Sequence, residues 1–488
     1  MTTVETTTGV VRGSSAAGHH AFLGIPYAEA PVGPLRFAAP GPLSSWSGER
    51  DATRYGPAAW QPTGGPLDGL VPGMGSEDQA DDCLSLNIWT PAADDARRPV
   101  MVWIHGGAFS LGAGSLPVYD GTRLCTTTDT VVVTINYRLG ALGFLALDDD
   151  TAVANVGILD QIAALQWVRD NIAVFGGDPD NVTIFGESAG GGSVLSLLSA
   201  PRAQGLFHRA IVQSGATDLM IDRDRARLVL EAFARCAGVD ADDIDALRAL
   251  EPSAVLAAQA QAAGELFTTV GTMPFHPCTD GDVLPFTWQQ AAEQGVSSVP
   301  LIIGTTRDEM ALFAGFDPAA ATLDAAGLRA RISRLGRDPE ALIAAYAETG
   351  TTDPPAVWRR ITTDNAMWLA ALQFAGAYAE HAPVWMYRFD WTASEPSLGA
   401  PHGIDIPFPF DTIDEGGWDR FVSDPAAAHG LAATMQSLWA TFARTGDPSI
   451  ESTPWPRYDG ERRSTLILGP SVHTTEDPNG AVRRAWGL

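Results

Sequence analysis

Short, nearly continuous apolar runs alternate with longer helical patterns along most of this chain, and the alternation predicts its elements. The runs Leu84 to Trp89, Pro99 to Ile104, Thr130 to Tyr137, Val182 to Phe185, Ala210 to Gln213, Pro300 to Gly304 and Val384 to Trp391 are predicted strands. They lack the polar-apolar alternation of a half-exposed strand, so a largely parallel sheet buried on both faces is expected. Between them lie helical patterns, the clearest from Val156 to Phe175 with Leu159, Ile162, Ala163 and Trp167 at helical spacing. Gly9 to Arg12 and Ala21 to Tyr27 predict a hairpin turning at Gly13 to Ala17. The Ala-rich regions Arg223 to Ala263 and Leu323 to Ala379 carry little strand signal and predict helical excursions, a cap or side subdomain. The expected fold class is α/β, a mostly parallel central sheet with helices on both faces. Without a linker or an internal repeat, residues 1–488 are expected to form a single domain. One stretch, Trp60 to Asp82, is too rich in Gly and Pro for a core element and is a candidate lid or entrance rim.

Composition narrows the function classes. Hydrophobic residues make up 45% and charged ones 18%, enough apolar material for a sizeable core. The net charge of −27 argues against nucleic acid and anionic membrane surfaces as partners, since both need a basic face. All 31 basic residues are arginine, which excludes chemistry that needs a lysine amine: Ser-x-x-Lys hydrolysis, Schiff-base catalysis and P-loop nucleotide hydrolysis. The Lys-free, Ala- and Arg-rich usage suggests a bacterium of high GC content. No signal-peptide pattern and no apolar run of membrane-spanning length are visible, so a cytoplasmic location is expected. Cys83, Cys125, Cys236 and Cys278 lie far apart, without metal-ligand spacing; reduced thiols, no disulfide and no metal are expected.

Candidate chemistry centres on Asn181 to Ser193, NVTIFGESAGGGS. A β-branched and aromatic strand stops at Gly186, a serine sits in Gly186-Glu187-Ser188-Ala189-Gly190, and a Leu-rich helical segment follows. Strand, Gly-x-Ser-x-Gly and helix in this order form a nucleophile elbow. A serine needs a base, an orienting acid and an oxyanion hole. Met101 to Ile104 runs into His105-Gly106-Gly107-Ala108-Phe109, where glycines let two backbone N–H groups point at one oxygen, and Ala189 N–H would supply a third. Of nine histidines, His402 is the candidate base, because it lies in a late loop beyond the strand Val384 to Trp391. The acid follows the strand Pro300 to Gly304, and either Asp308 or Glu309 meets that requirement.

The chain resembles the type-B carboxylesterases of the cholinesterase/carboxylesterase family, and especially its bacterial para-nitrobenzyl esterases. The blocks that carry the resemblance run almost end to end. They include GIPYAEAPVGPLRF from Gly24, DDCLSLNIWTP from Asp81, VWIHGGAF from Val102, NYRLGALGFL from Asn136, NVTIFGESAGG from Asn181 and GTTRDE ending at Glu309. The resemblance implies an α/β-hydrolase that hydrolyses esters through an acyl-enzyme, without a cofactor. It implies Ser188, Glu309 and His402 as the triad, Gly106, Gly107 and Ala189 as the oxyanion hole, and Glu187 and Ser214 as supporting residues. It also implies structural ion pairs Arg36–Asp81 and Arg138–Asp160. The expected partner is a small-molecule ester, apolar or aromatic, and the protein a monomer or weak oligomer; carbamate or amide hydrolysis is the alternative with the same machinery. A non-catalytic, cholinesterase-like binding protein is the alternative from another class. The chain departs from the family's pattern twice: no cysteine precedes Cys83 to pair with it, and VPGMGSEDQADD lacks the tryptophan that holds choline in cholinesterases.

Overall fold

The computed structural model describes residues 1–488 except 65–72, 76, 217, 218, 272, 416 and 423 and the side chains of 419 and 420. Residues 65–72 and 76 belong to the candidate lid, so that expectation lies in part outside the described residues.

Fifteen strands are described. They are β1 Thr2–Thr6, β2 Gly9–Ala16, β3 His19–Pro26, β4 Glu49–Asp51, β5 Ser85–Thr90, β6 Arg98–Ile104, β7 Val131–Ile135 and β8 Asp148–Asp149. There follow β9 Ala152–Val153, β10 Gly177–Glu187, β11 Arg209–Gln213, β12 Leu301–Thr306, β13 Val384–Phe389, β14 Ser464–Leu468 and β15 His473–Glu476. All but β8 and β9 join one sheet in the order β1-β2-β3-β5-β7-β6-β10-β11-β12-β13-β14-β15, with β4 on β2. From β7 to β14 every neighbouring pair is parallel, and antiparallel pairs are confined to the two flanks.

The apolar runs form this parallel centre because each strand feeds two cores. On β6, Val100, Val102 and Ile104 pack into one and Met101 and Trp103 into the other. With both faces covered, a continuous apolar run is the pattern a parallel strand needs. The helix Val156–Asn171 occupies its predicted place, with a 3-10 turn Ile172–Phe175 completing it. The first Ala-rich excursion resolves into Arg223–Ala237, Ile244–Arg248 and Pro252–Leu266. The second becomes Ala325–Arg334, Pro339–Glu348, Pro354–Thr363, a π-helical turn Asp364–Trp368 and Leu369–Tyr378.

Both implied ion pairs form. Arg138 Nη2 lies 2.7 Å from Asp160 Oδ1 with both side chains buried, and Arg36 Nη2 lies 3.0 Å from Asp81 Oδ1. Breaking a buried pair strands a charge, typically at about 3–5 kcal/mol. The Arg138–Asp160 pair is therefore structural, while Asp81 of the other pair stays partly exposed. The four cysteines are unpaired.

Candidate active site

The elbow is formed where β10 meets the helix Ala189–Ser199. Ser188 sits between them at φ 56° and ψ −122°, a strained backbone state that persists only when its surroundings hold it. Its N–H donates to Gln213 O at 2.9 Å and its carbonyl accepts from Gly192 N–H at 2.8 Å. A Cβ on Gly190 would collide with the Ile104 carbonyl, and one on Gly186 would lie 2.6 Å from the Gly190 carbonyl. Steric need therefore explains the two glycines of Gly-x-Ser-x-Gly.

The end of β6 approaches from the other side. A Cβ on Gly106 would lie 3.2 Å from Ser188 Cβ, so the His-Gly-Gly turn abuts the serine. Tyr137 Oη donates to the His105 carbonyl at 2.8 Å, and the two rings stack with centroids 4.5 Å apart. His105 Nδ1 bonds the Gly106 carbonyl at 2.8 Å. A carbonyl only accepts, so Nδ1 carries the proton; burial pushes His105 down to about 4 and keeps the ring neutral. In a planar trans peptide the N–H points opposite the C=O. Tying back the carbonyls of His105 and Gly106 therefore turns the N–H groups of Gly106 and Gly107 the other way. Among the described residues, the N–H groups of Gly106, Gly107 and Ala189 donate to no protein acceptor.

Glu309 and His402 come from loops beyond β12 and β13, laced side by side. Asp308 N–H donates to Ala400 O at 2.8 Å, and His402 N–H to Glu309 O at 3.3 Å. Asp308 Oδ2 accepts from Ala400 N–H at 2.9 Å. Glu309 is fully buried, and its Oε1 accepts from Ser214 Oγ at 2.6 Å and from Thr306 N–H at 2.8 Å. Its Oε2 meets His402 Nδ1 at 2.5 Å. Asp308 points elsewhere, to Arg307 Nε at 2.9 Å and Arg360 Nη1 at 3.2 Å. Glu309, not Asp308, faces the imidazole.

The other face of His402 meets Glu187, with Nε2 3.2 Å from Oε1 but off the line of a hydrogen bond. Burial pushes the Glu187 carboxyl up to about 8. Burial works against a charged His402, yet the Glu187 and Glu309 carboxylates together raise it to about 9. The groups are coupled, so their protons belong to the cluster and not to one residue. Sequence reasoning missed a further member, Asp405. It is fully buried, accepts from Gln213 Nε2 at 3.0 Å and from Tyr387 Oη at 3.1 Å, and is pushed up to about 6, mainly by burial. A lone acid within the apolar run Ile404 to Phe410 was the signal available.

Gly106, Gly107, Ser188 and His402 line one cavity of about 70 Å³. Met74, Leu111, Met273, Leu312, Phe313 and Ile406 form the apolar part of its wall, Tyr119 and Glu187 also line it, and the Phe313 ring packs on His402 with centroids 5.3 Å apart. No tryptophan lines this cavity among the described residues. The tryptophans Trp89, Trp103, Trp385, Trp418 and Trp439 fill the core instead. A larger cleft of about 560 Å³ lies between Arg36, Trp60, Asp81 and the segment from Arg248 to Leu256. Among the described residues no histidine or cysteine lines it. Among the described residues, no cluster of three or more His, Cys, Asp or Glu could hold a metal ion.

Residues 1–483 match the Carboxylesterase family. The chain belongs to that family. The esterase is 40% identical to para-nitrobenzyl esterase of Bacillus subtilis, over 99% of this chain and 97% of the relative. It is 38% identical to phenmedipham hydrolase of Pseudarthrobacter oxydans, over 95% of this chain and 94% of the relative. Its backbone superposes on a Geobacillus stearothermophilus carboxylesterase with a TM-score of 0.89 and 41% identity, each chain covered completely. The fold is thus the α/β-hydrolase fold of carboxylesterases, and the chemistry is hydrolysis of carboxylic esters to acid and alcohol. Among the described residues no helix is long and apolar enough to cross a membrane.

Proposed function

We propose that the esterase hydrolyses small, uncharged, apolar or aromatic esters with Ser188 as nucleophile, His402 as base and Glu309 as orienting acid. The observation that carries the assignment is the 2.5 Å contact of His402 Nδ1 with Glu309 Oε2, beside a cavity that Ser188 also lines. Ser188 Oγ attacks the ester carbonyl carbon as its proton passes to His402 Nε2, and the carbonyl electron pair moves onto oxygen. The N–H groups of Gly106, Gly107 and Ala189 donate hydrogen bonds to that oxyanion. The intermediate collapses, the alcohol leaves with the proton from His402, and an acyl-enzyme remains. Water repeats the sequence, and the acid is released with Ser188 restored. Glu309 holds the imidazole tautomer and balances its charge. Ser214 and Thr306 in turn hold Glu309, and Glu187 sets the field on the far side of the ring. Catalysis in this scheme uses side chains and backbone alone.

The mostly apolar wall supports uncharged substrates, because among the described residues no arginine lines it to receive an anion. The whole chain is read as one domain, supported by a single sheet that takes strands from Thr2 to Glu476. The esterase is also taken as a cytoplasmic monomer or weak oligomer.

Ser188→Ala is expected to abolish turnover with the fold intact, and an organophosphate should label Ser188. Turnover surviving in Ser188→Ala, or a label on another serine, removes the assignment. A panel of p-nitrophenyl esters of graded length, with aryl carbamates and anilides alongside, measures substrate class; faster carbamate or anilide turnover would favour the alternative reading.

A further inference from the structure

We propose that Gln61 is a positioning residue for the oxyanion hole, an inference that rests on the roles of Gly106 and Gly107 given above. Gln61 is 1% exposed, and its side-chain amide is bonded on both sides. Nε2 donates to Gly112 O at 3.0 Å and to Ala59 O at 3.1 Å, while Oε1 accepts from Gly112 N–H at 2.8 Å. One amide group thereby closes on the N–H and the C=O of a single residue, much as a neighbouring strand would.

The residue it holds stands directly behind the oxyanion turn. Gly112 has φ +103°, and a Cβ on it would lie 2.6 Å from His105 Nδ1 and 2.7 Å from the Gly106 carbonyl oxygen. Those are the two atoms whose bond turns Gly107 N–H away from the tied-back Gly106 carbonyl. Gly112 is therefore the backstop of that bond, and a glycine at this angle has much conformational freedom to lose. Without Gln61, the N–H and C=O of Gly112 would be buried and unpaired, and the peptide would rotate to find partners. The His105 imidazole would then gain room to swing away from the Gly106 carbonyl.

Gln61 also ties this backstop to the base of the candidate rim. Its own N–H donates to Gln79 Oε1 at 3.0 Å, and Ala58 pairs with Gln79 as an isolated bridge. Both arms of the segment between residues 61 and 79 are thus fixed at one point, and that point is fastened to the oxyanion turn. Tyr137 braces the turn from the other side, through the His105 carbonyl. Gln61 completes the brace. Its geometry is that of a part which sets where two donors point, without touching substrate itself.

Gln61→Met tests the proposal, since methionine keeps the length and volume of glutamine and removes its hydrogen bonds. The measurements are kcat, KM, the inhibition constant of an aryl trifluoromethyl ketone, and Tm, with active sites counted by organophosphate titration. In the ketone adduct Ser188 Oγ bonds the carbonyl carbon, its proton passes to His402, and the new oxyanion seeks the same N–H groups as the transition state. Losing an oxyanion donor outright costs about 10²–10³ in kcat, so misaiming one is expected to cost about tenfold. The kcat per active site and the ketone affinity should fall together, with KM changed less than about twofold. A lower Tm with kcat per active site and ketone affinity unchanged would mean that Gln61 only packs, and overturns the proposal. Should Gln61→Met fail to fold, Gly112→Ala presses on His105 and Gly106 from behind while leaving Gln61 in place. The same paired loss is then expected, and unchanged values overturn the proposal equally. If Ser188 carries the organophosphate and both variants behave as wild type, only the role of Gln61 fails; if the label lies elsewhere, the site itself fails.

Discussion

The imidazole of His402 stands between two carboxyl groups of opposite character. Glu309 is bonded to it at 2.5 Å and is itself held by Ser214 and Thr306, whereas Glu187 Oε1 is buried without a hydrogen-bond partner. An unpaired buried carboxylate is costly, so burial pushes the Glu187 carboxyl up to about 8, while a charged His402 beside it favours its ionised form. When Glu187 ionises, it stabilises imidazolium and opposes the loss of the proton that His402 must shed to act as a base. Removing the charge therefore lowers the His402 value, and the acid limb of kcat/KM should move to lower pH in Glu187→Gln, by about one unit or more. A pH profile over the range from 5 to 9 checks this. An acid limb that stays in place or moves upward would show that Glu187 does not reach the imidazole electrostatically.

Two adjoining loops carry the proposed acid and base, and their lacing makes Asp308 more than a neighbour of Glu309. From the sequence, Asp308 and Glu309 were equal candidates, since both follow the same strand. What separates them is direction: Glu309 turns inward to His402, while Asp308 reaches across to Ala400 N–H with Arg307 and Arg360 behind it. Burial opposes the Asp308 charge, but Arg307 foremost, with the Ala400 N–H and Arg360, holds its carboxyl below the usual range. Glu309→Gln is expected to cut kcat by about 10³–10⁴ with Tm nearly unchanged. Asp308→Asn keeps an acceptor for Ala400 and should retain most of the activity while losing stability through its two arginines. Asp308→Ala frees the His402 loop and should lose roughly tenfold in kcat as well, since small misplacements of catalytic groups are costly. A dead Asp308→Asn beside an active Glu309→Gln would reverse the assignment. The central strands were legible because strands buried on both faces must be apolar throughout. The edges were not: β1 reads Thr-Thr-Val-Glu-Thr, β15 reads His-Thr-Thr-Glu, and β4 is fully exposed, so none carries an apolar signal. The hairpin turn was placed too early for a related reason. β2 continues to Ala16 through Gly13 and then Ser14, Ser15 and Ala16, the last three half-buried or exposed, where small and polar residues imitate a turn. Ser188, the His-Gly-Gly turn and His402 could be read because each follows a strand end. Gln61 and Asp405 could not, because a polar residue declares its burial only through partners distant in sequence.

At the scale of the whole molecule, the excess of 58 acidic over 31 basic residues becomes an energetic term of its own. Many of the arginines are already engaged with carboxylates at the surface, as in Arg97 with Asp178 and Asp180 or Arg227 with Glu231 and Asp242. Such exposed pairs contribute about 0–1 kcal/mol each. The remaining negative charge repels itself across a body whose radius of gyration is about 23 Å for this chain length. At about 10 mM salt the Debye length is about 30 Å, so nearly every surface charge feels the others; at about 150 mM it is about 8 Å and only near neighbours interact. Salt therefore weakens two opposing terms, the local attraction of the pairs and the global repulsion of the excess. The pairs lie within about 4 Å, inside either screening length, and are screened less than the long-range repulsion. Repulsion should lose more. The expected result is a Tm that rises by about 1–3 °C between about 10 and 150 mM sodium chloride and then levels off, since one kcal/mol moves the Tm of a chain this long by only about a degree. Sodium chloride is the salt to use, because sulfate would strengthen apolar burial in its own right. A Tm that falls across this range would mean that the arginine pairs, not the excess charge, dominate the electrostatic stability of the esterase.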